Sequence, residues 1–224
     1  ILISYNSEEF IGDCLRSAYN QARAFSELIV VDNGSSDRTV DICSDFPQTR
    51  VIALGRNAGY AASANVGISS VSGEYVIVAN VDTIFDLLFV EKLQNYIENN
   101  PEIDMISPLI LRFDRKTVDS AGQTYSKALY PQEIGYNQPI DSLDLVERPV
   151  FSVCGAATVF KRSALDVLKV GHEYYDEDFF MFWEDFDIGW RANKRGLKTM
   201  FFPEAIVYHY RSGTMKRGVL SRLA

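Results

Sequence analysis

The sequence is poor in residues that would announce several kinds of chemistry. It holds three cysteines, Cys14, Cys43 and Cys154, widely spaced and with no Cys-x-x-Cys pair. That excludes a disulfide framework or a cysteine zinc site and predicts small buried thiols in a reducing, cytoplasmic setting. The longest apolar runs, such as Tyr75 to Val81 and Phe179 to Trp183, fall far short of the roughly 20 residues that cross a bilayer. No Gly-x-Gly-x-x-Gly turn or Gly-x-x-x-x-Gly-Lys loop follows any predicted strand, so the two commonest phosphate cradles are missing. Basic charge is in deficit: 22 Lys+Arg against 30 Asp+Glu leave a formal net charge of -8. Such a balance repels nucleic acid, and an anionic ligand must be held locally by positioned donors or a metal ion.

What is present is 224 residues, 47% hydrophobic and 23% charged, the make-up of one globular domain with a sizeable core. Ile1-Leu2-Ile3 reads as the interior of a strand and residue 1 is not Met, so the expectation is a chain lacking its natural start.

Short β-branched runs alternate with helical patterns over the first hundred residues. Asn6-Ser7-Glu8-Glu9 carries a capping-box signature, and Phe10, Ile11, Cys14, Leu15, Ala18 and Ala22 recur at helical spacing. Leu28–Val31 reads as a strand covered on both faces, and Val51–Leu54 and Tyr75–Ala79 as further strands. Helices are predicted after Ser35 or Ser36, over Tyr60–Val71 and over Asp86–Asn99. This is the rhythm of an α/β fold with a doubly wound, mostly parallel central sheet flanked by helices. Residues 112–150, with Pro131, Pro139 and Pro149, lose it and read as a long connection or lid. Order returns with a strand at Ala156–Lys161, helices at Ser163–Leu168 and Glu184–Gly196, and strands at Lys198–Phe202 and Ala205–Tyr210.

In doubly wound sheets ligands sit beyond the carboxyl ends of the strands. The polar residues cluster there: Ser4-Tyr5-Asn6, Asp32-Asn33-Gly34, Arg56-Asn57 and Asn80-Val81-Asp82. Asn80 and Asp82 fall on one side of an extended segment and could share a hard cation, or could simply make the turn after a strand. Trp183-Glu184-Asp185-Phe186-Asp187 sets three acids at a helix start. They favour the helix dipole, and acids beside an apolar wall also raise one another's pKa toward that of a useful general base. His209, one of two histidines, is either a hydrogen-bonded strand residue or a ligand. Arg56, Asn57 and Asn65 could be loop and helix-surface residues.

Taken in order, Ile3-Ser4-Tyr5-Asn6, Val30-Val31-Asp32-Asn33-Gly34-Ser35-Ser36-Asp37, Arg56-Asn57-x-Gly59-Tyr60, Asn65-Val66-Gly67, Asn80-x-Asp82-Thr83, Gly155-Ala156-Ala157, Trp183-Glu184-Asp185-x-Asp187 and His209 closely resemble the inverting family-two glycosyltransferases of the GT-A fold. The resemblance spans residues 1 to about 212. It implies one glycosyltransferase domain over 1–224, with a nucleotide-binding half (1–110), an acceptor and catalytic half (111–224), and a small additional sheet on the acceptor side. It also implies an enzyme of the hexosyltransferase class. Ser4, Tyr5, Asn6, Asp32, Arg56, Asn57 and Asn80 would bind the nucleotide of a nucleoside diphosphate sugar, and Gly155 and Ala156 would face the donor sugar. Asp82 and His209 would hold Mg or Mn. Asp185 would be the base, with Trp183 and Glu184 lining the acceptor side.

Asn80 departs from the Asp common in the family and leaves a metal site with one fewer charge. Asn-x-Asp-Thr resembles the rhamnosyltransferase-like branch, implying dTDP-rhamnose or a UDP-sugar as donor and a polysaccharide or lipid-linked glycan of the cell envelope as acceptor. Two other readings stand beside it: a non-catalytic nucleotide-sugar-binding module of a larger protein, and a nucleotidyltransferase, which would want a basic Gly-rich loop where Ser4–Glu9 stands. The basic ending Lys216, Arg217 and Arg222 suggests peripheral contact with the inner face of a membrane.

Overall fold

The computed structural model describes residues 1–211. The basic ending at Lys216, Arg217 and Arg222 lies outside the described residues. In chain order the strands and α-helices are β1 (Leu2–Ser4), α1 (Ile11–Tyr19), β2 (Ile29–Asp32), α2 (Thr39–Cys43), β3 (Arg50–Ala53), α3 (Tyr60–Ser69), β4 (Tyr75–Asn80), β5 (Thr83–Phe85), α4 (Phe89–Asn99), β6 (Met105–Arg112), β7 (Val118–Ser120), β8 (Gln123–Tyr125), β9 (Pro131–Glu133), β10 (Arg148–Pro149), β11 (Ala157–Lys161), α5 (Arg162–Leu168), α6 (Glu184–Lys194) and β12 (Thr199–His209). Ten strands form one mixed sheet along the path β10-β12-β6-β11-β4-β1-β2-β3, with β5 on β12 and β7 on β6, while β8 and β9 form a separate antiparallel pair.

Alternation along each strand builds the two faces. Leu2 and Val30 point into one apolar cluster with Ile11, Leu15, Phe89 and Leu93 of α1 and α4. Their neighbours Ile3, Ile29 and Val31 point into a second with Ala61, Ala64, Leu165, Ile188 and Ala192 of α3, α5 and α6. A period of two therefore puts helices on both sides of the sheet. Gly67 lets α3 approach closely, since a Cβ there would lie 2.4 Å from Ile1 Cγ2.

The sheet directions decide where the site forms. β1 runs parallel to β2 and to β4, and β6 runs parallel to β12. β11 is antiparallel to both β4 and β6. The carboxyl ends of β1, β2, β4 and β12 and the amino end of β11 thus share one edge. Ser4, Asp32, Asn80, His209 and Gly155 arrive there from five separate stretches of sequence.

Several sequence expectations are corrected. The capping box does not form: the Asn6 side chain accepts from Ser36 N at 2.8 Å, and the helix begins at Ile11 without a side-chain cap. The expected helix over Asp86–Asn99 starts at Phe89, because Asp86 N donates to Ile206 O and the Asp86 side chain and carbonyl accept from Leu88 N and Phe89 N in a turn ahead of the helix. Residues 112–150 are not one irregular lid but hold β7, β8, β9 and β10. The two last strands are a single strand whose register shifts between Phe202 and Ile206, around Pro203. Among the described residues no helix is long and apolar enough to cross a membrane.

Candidate active site

A cavity of about 560 Å³ opens at the shared edge. One side of it is formed by Ser4, Tyr5, Asn33, Asn57 and Asn80. Asn33 and Asn57 interlock: Asn33 Nδ2 donates to Asn57 Oδ1 at 2.9 Å, and each amide oxygen also accepts a main-chain N–H, from Ala58 and Gly59 respectively. Gly34 makes the close approach possible, because a Cβ there would sit 2.6 Å from the Arg56 carbonyl carbon at a φ of +79°. Asp32 lies behind this wall, its carboxylate accepting from Ser4 Oγ, Ser35 Oγ, Gly34 N and Ser35 N. Four donors occupy the Asp32 carboxylate, so it shapes the wall instead of facing the cavity. Asn6 is likewise a loop tie, and Arg56 is exposed and off the cavity lining.

Asp82 and His209 meet on the next wall, both buried. Strand pairing sets His209 opposite Thr83, which brings His209 Nε2 to 3.2 Å from Asp82 Oδ1. The other ring nitrogen, Nδ1, is 2.7 Å from Asp119 Oδ2. Asp119 is fully buried and is also paired with Arg211. Burial alone would lower the His209 pKa, but the two carboxylates overcome it and raise the pKa to about 9. Burial pushes the Asp119 carboxyl up, yet His209 and Arg211 together hold it below its usual value.

This donor set fits a hard divalent cation. Neighbouring ligands about 2.1 Å from a six-coordinate ion lie roughly 3 Å apart, close to the spacing here, and a carboxylate on the far ring nitrogen is the usual support of a metal-bound imidazole.

Asp185 stands on the remaining wall, in the first turn of α6. Its Oδ2 accepts from Gly155 N at 2.8 Å and Gln123 Nε2 at 2.9 Å, and its Oδ1 accepts from Phe186 N at 2.8 Å. Burial raises the Asp185 pKa, against the pull of these donors. Burial and the neighbouring Asp185 charge raise Glu184 too, and Glu184 Oε2 is buried without a hydrogen-bond partner. Glu133, Cys154 and Asp185 bring ligand atoms within 4.8 Å of one another. Burial first, then Glu133 and Asp185, push the Cys154 thiol well above its usual pKa, so it stays protonated, and the Asp185 oxygens already have donors. The trio therefore offers a metal no thiolate.

The α6 start is fixed by its neighbours. Gly189 passes Ser152 so closely that a Cβ would lie 1.9 Å from Ser152 Oγ, which itself donates to the Asp185 carbonyl at 2.6 Å. Before the helix, Phe180, Phe182 and Trp183 all have positive φ, at 53°, 73° and 72°, an arrangement that side-chain-bearing residues adopt at a cost. The Phe180 carbonyl holds this loop against α3 by accepting from Tyr60 N at 2.6 Å. Asn65 is not a helix-surface residue: it is buried, and its amide ties down Tyr174, Tyr175 and Glu177.

The cavity thus brings together Ser4, Tyr5, Asn57, Asn80, Asp82, Gly155, Ala156, Trp183, Glu184, Asp185 and His209, and leaves Asn6, Asp32 and Arg56 outside. Sequence reasoning placed Asn33 among the strand-end polar residues without giving it a role of its own, and missed Asp119, Gln123, Glu133 and Arg211. These four carry no local signal, since they become neighbours only through the sheet.

The family model "Glycosyl transferase family 2" matches residues 1–168. The N-acetylglucosaminyl-diphospho-decaprenol L-rhamnosyltransferase of Mycobacterium tuberculosis is 29% identical over 222 residues, covering 88% of this chain and 70% of that enzyme. The poly-beta-1,6-N-acetyl-D-glucosamine synthase of Staphylococcus epidermidis is 28% identical over 211 residues, covering 93% of this chain, which spans only 48% of the synthase. Among solved structures, GalNAc-T7 with UDP, GalNAc and Mn2+ superposes with a TM-score of 0.74 at 14% identity, over 93% of this chain and 42% of that one. S. aureus TarS 1–349 in complex with UDP gives 0.66 at 19% identity, over 93% and 58%. These likenesses show the GT-A fold. With the match of the family model over most of its length, the chain belongs to glycosyl transferase family 2 and is a glycosyltransferase.

Proposed function

We propose that this glycosyltransferase is metal-dependent and inverting. In this reading it moves one sugar from dTDP-rhamnose or a UDP-sugar to a hydroxyl of a polysaccharide or lipid-linked glycan. The single domain 1–224 works as one unit in the cytoplasm, with peripheral contact to the inner face of a membrane where the acceptor carries a lipid. The rhamnosyltransferase and poly-N-acetylglucosamine synthase relatives support lipid-linked or glycan acceptors, and the solved structures with UDP support a sugar-nucleotide donor. The observation that carries the proposal is a single cavity with Asp82 and His209 on one wall and Asp185 on another.

Each residue then has a role. Ser4, Tyr5, Asn33, Asn57 and Asn80 contact the nucleotide, while Asp32 and Asn6 order the wall from behind and Arg56 stands outside the cavity. Asp82 and His209 hold Mg or Mn, which would neutralise charge growing on the departing nucleoside diphosphate. Gly155 and Ala156 bound the donor sugar, where a side chain at 155 would crowd Asp185 Oδ2 at 3.2 Å. Trp183 offers an exposed ring at the cavity mouth, 5.8 Å from Tyr130, for an acceptor sugar face. Glu184 Oε2, buried and unpartnered, accepts from an acceptor hydroxyl. Asp185 removes the proton from the attacking hydroxyl, and its raised pKa makes it a stronger base than an ordinary aspartate. One base on the face opposite the leaving group gives inversion.

The test is product analysis by mass spectrometry and NMR with dTDP-rhamnose and UDP-sugars, with Mn or with a chelator. Metal-dependent transfer with an inverted anomeric centre is expected. Transfer unaffected by chelation, or retention of configuration, would refute the metal role or the inverting assignment respectively.

A further inference from the structure

The small sheet reaches the cavity through Gln123 and Glu133. Gln123 on β8 lies directly opposite Glu133 on β9. The Gln123 Nε2 donates to Glu133 Oε1 and to Asp185 Oδ2, each at 2.9 Å. Its main chain is clamped as well: Gln123 N donates to Ser152 O at 2.8 Å, and Gln123 O accepts from Phe151 N at 3.0 Å. The same short segment, 151–155, also supplies the Gly155 N–H to Asp185. We propose that Gln123, locked by Glu133, is a positioning residue that orients the Asp185 carboxylate through a neutral donor. The inference rests on reading Asp185 as the base.

Two observations favour this over simple packing. Gln123 Oε1 and Glu133 Oε2 are buried with no hydrogen-bond partner, a cost that an apolar pair at these positions would avoid. What the polar pair supplies in return is one amide donor at a fixed distance from Asp185. Second, the charge of that donor matters. Among the described residues no cation forms an ion pair with Asp185, and the titratable groups around it are Glu184 on α6, Glu133 on β9, Cys154 before β11, Tyr60 on α3 and Tyr175 ahead of α6. An Arg or Lys at 123 would orient the carboxylate but also lower its pKa and weaken it as a base. A glutamine orients it and, being neutral, lowers its pKa less than a cation would. Glu133 fixes which way the amide points, because its Oε1 takes the second hydrogen of the same Nε2.

The experiment is a carbon NMR titration of protein carrying 13Cγ-labelled aspartate, with the Asp185 resonance identified by its loss in Asp185→Asn. Gln123→Met keeps length and removes the donor. The Asp185 titration is expected to move up by about one pH unit, a tenfold change in protonation at fixed pH. Glu133→Gln keeps an acceptor for Gln123 and is expected to show no upward shift. A second measurement needs no change at 123: in the parent protein the Gln123 side-chain amide protons, labelled with 15N, should titrate with the Asp185 carboxyl and lose that response in Asp185→Asn. An unchanged Asp185 titration in a Gln123→Met protein that still gains thermal stability from UDP would overturn the proposal, as would a pH-insensitive Gln123 amide. Failure of the base reading would appear elsewhere, as sugar transfer by Asp185→Asn with both titrations as expected.

Discussion

Glu133→Gln should stabilise the protein in alkaline but not in acidic solution. Burial raises the Glu133 pKa from 4.5 to about 7, with Asp185 and Asp119 adding to the rise and the hydrogen bond from Gln123 opposing it. Because the folded value lies above the unfolded one, the folded state binds the extra proton between them. Stability from this group is complete below about pH 4.5, falls as pH rises and is fully lost above about 7. A rise of about 2.5 units corresponds to roughly 3 kcal/mol, which for a chain of this size is a melting-temperature difference of about 6 °C or more.

Glutamine resembles the protonated acid and keeps the acceptor for Gln123 Nε2. Its melting temperature should therefore match the parent near pH 5 and exceed it by several degrees near pH 8, read by differential scanning calorimetry. Equal differences at the two pH values would show that Glu133 does not bury its charge at a cost.

Other perturbations reach the remaining walls. Asp119→Asn removes the carboxylate that fixes His209 Nδ1, and Mn affinity measured by electron paramagnetic resonance should fall about 10- to 100-fold; unchanged affinity would remove Asp119 from the metal site. Gly59→Ala forces a Cβ to within 2.4 Å of the Phe180 carbonyl at a φ of +91°. It should cost roughly 2 kcal/mol in thermal unfolding and impair acceptor use more than UDP binding. Tyr60→Phe loses the hydroxyl that donates to Gly155 O at 2.9 Å. The expected loss is about 1 kcal/mol with a lower kcat, and a parent-like kcat would show that the Gly155 peptide is held by other contacts.

The first half of the fold was legible because its signals are local. The β-branched runs ending at Asp32 and Asn80 are strands buried on both faces, and the helices after them show their spacing directly. Residues 101–150 were not legible for the opposite reason. β6 pairs with β12 nearly a hundred residues later, and β7 to β10 are too short to show alternation. The site divides along the same line. Asp82 and Asp185 sit in compact motifs, whereas Asp119 acquires meaning only when β7 docks on β6 and brings it under His209. Asp32 shows a subtler limit: its place at a strand end was correct, but which atoms its oxygens accept from depends on how the following serines fold back.

The central claim is that Asp185 takes the acceptor proton in a cavity where Asp82 and His209, on another wall, hold the metal. Its most direct test is single-turnover transfer by Asp185→Asn, with UDP binding followed by calorimetry in the presence of Mn. The account predicts near-parent UDP affinity and transfer reduced by a factor of about 100 or more. Transfer at the parent rate by a variant that binds UDP normally would contradict it.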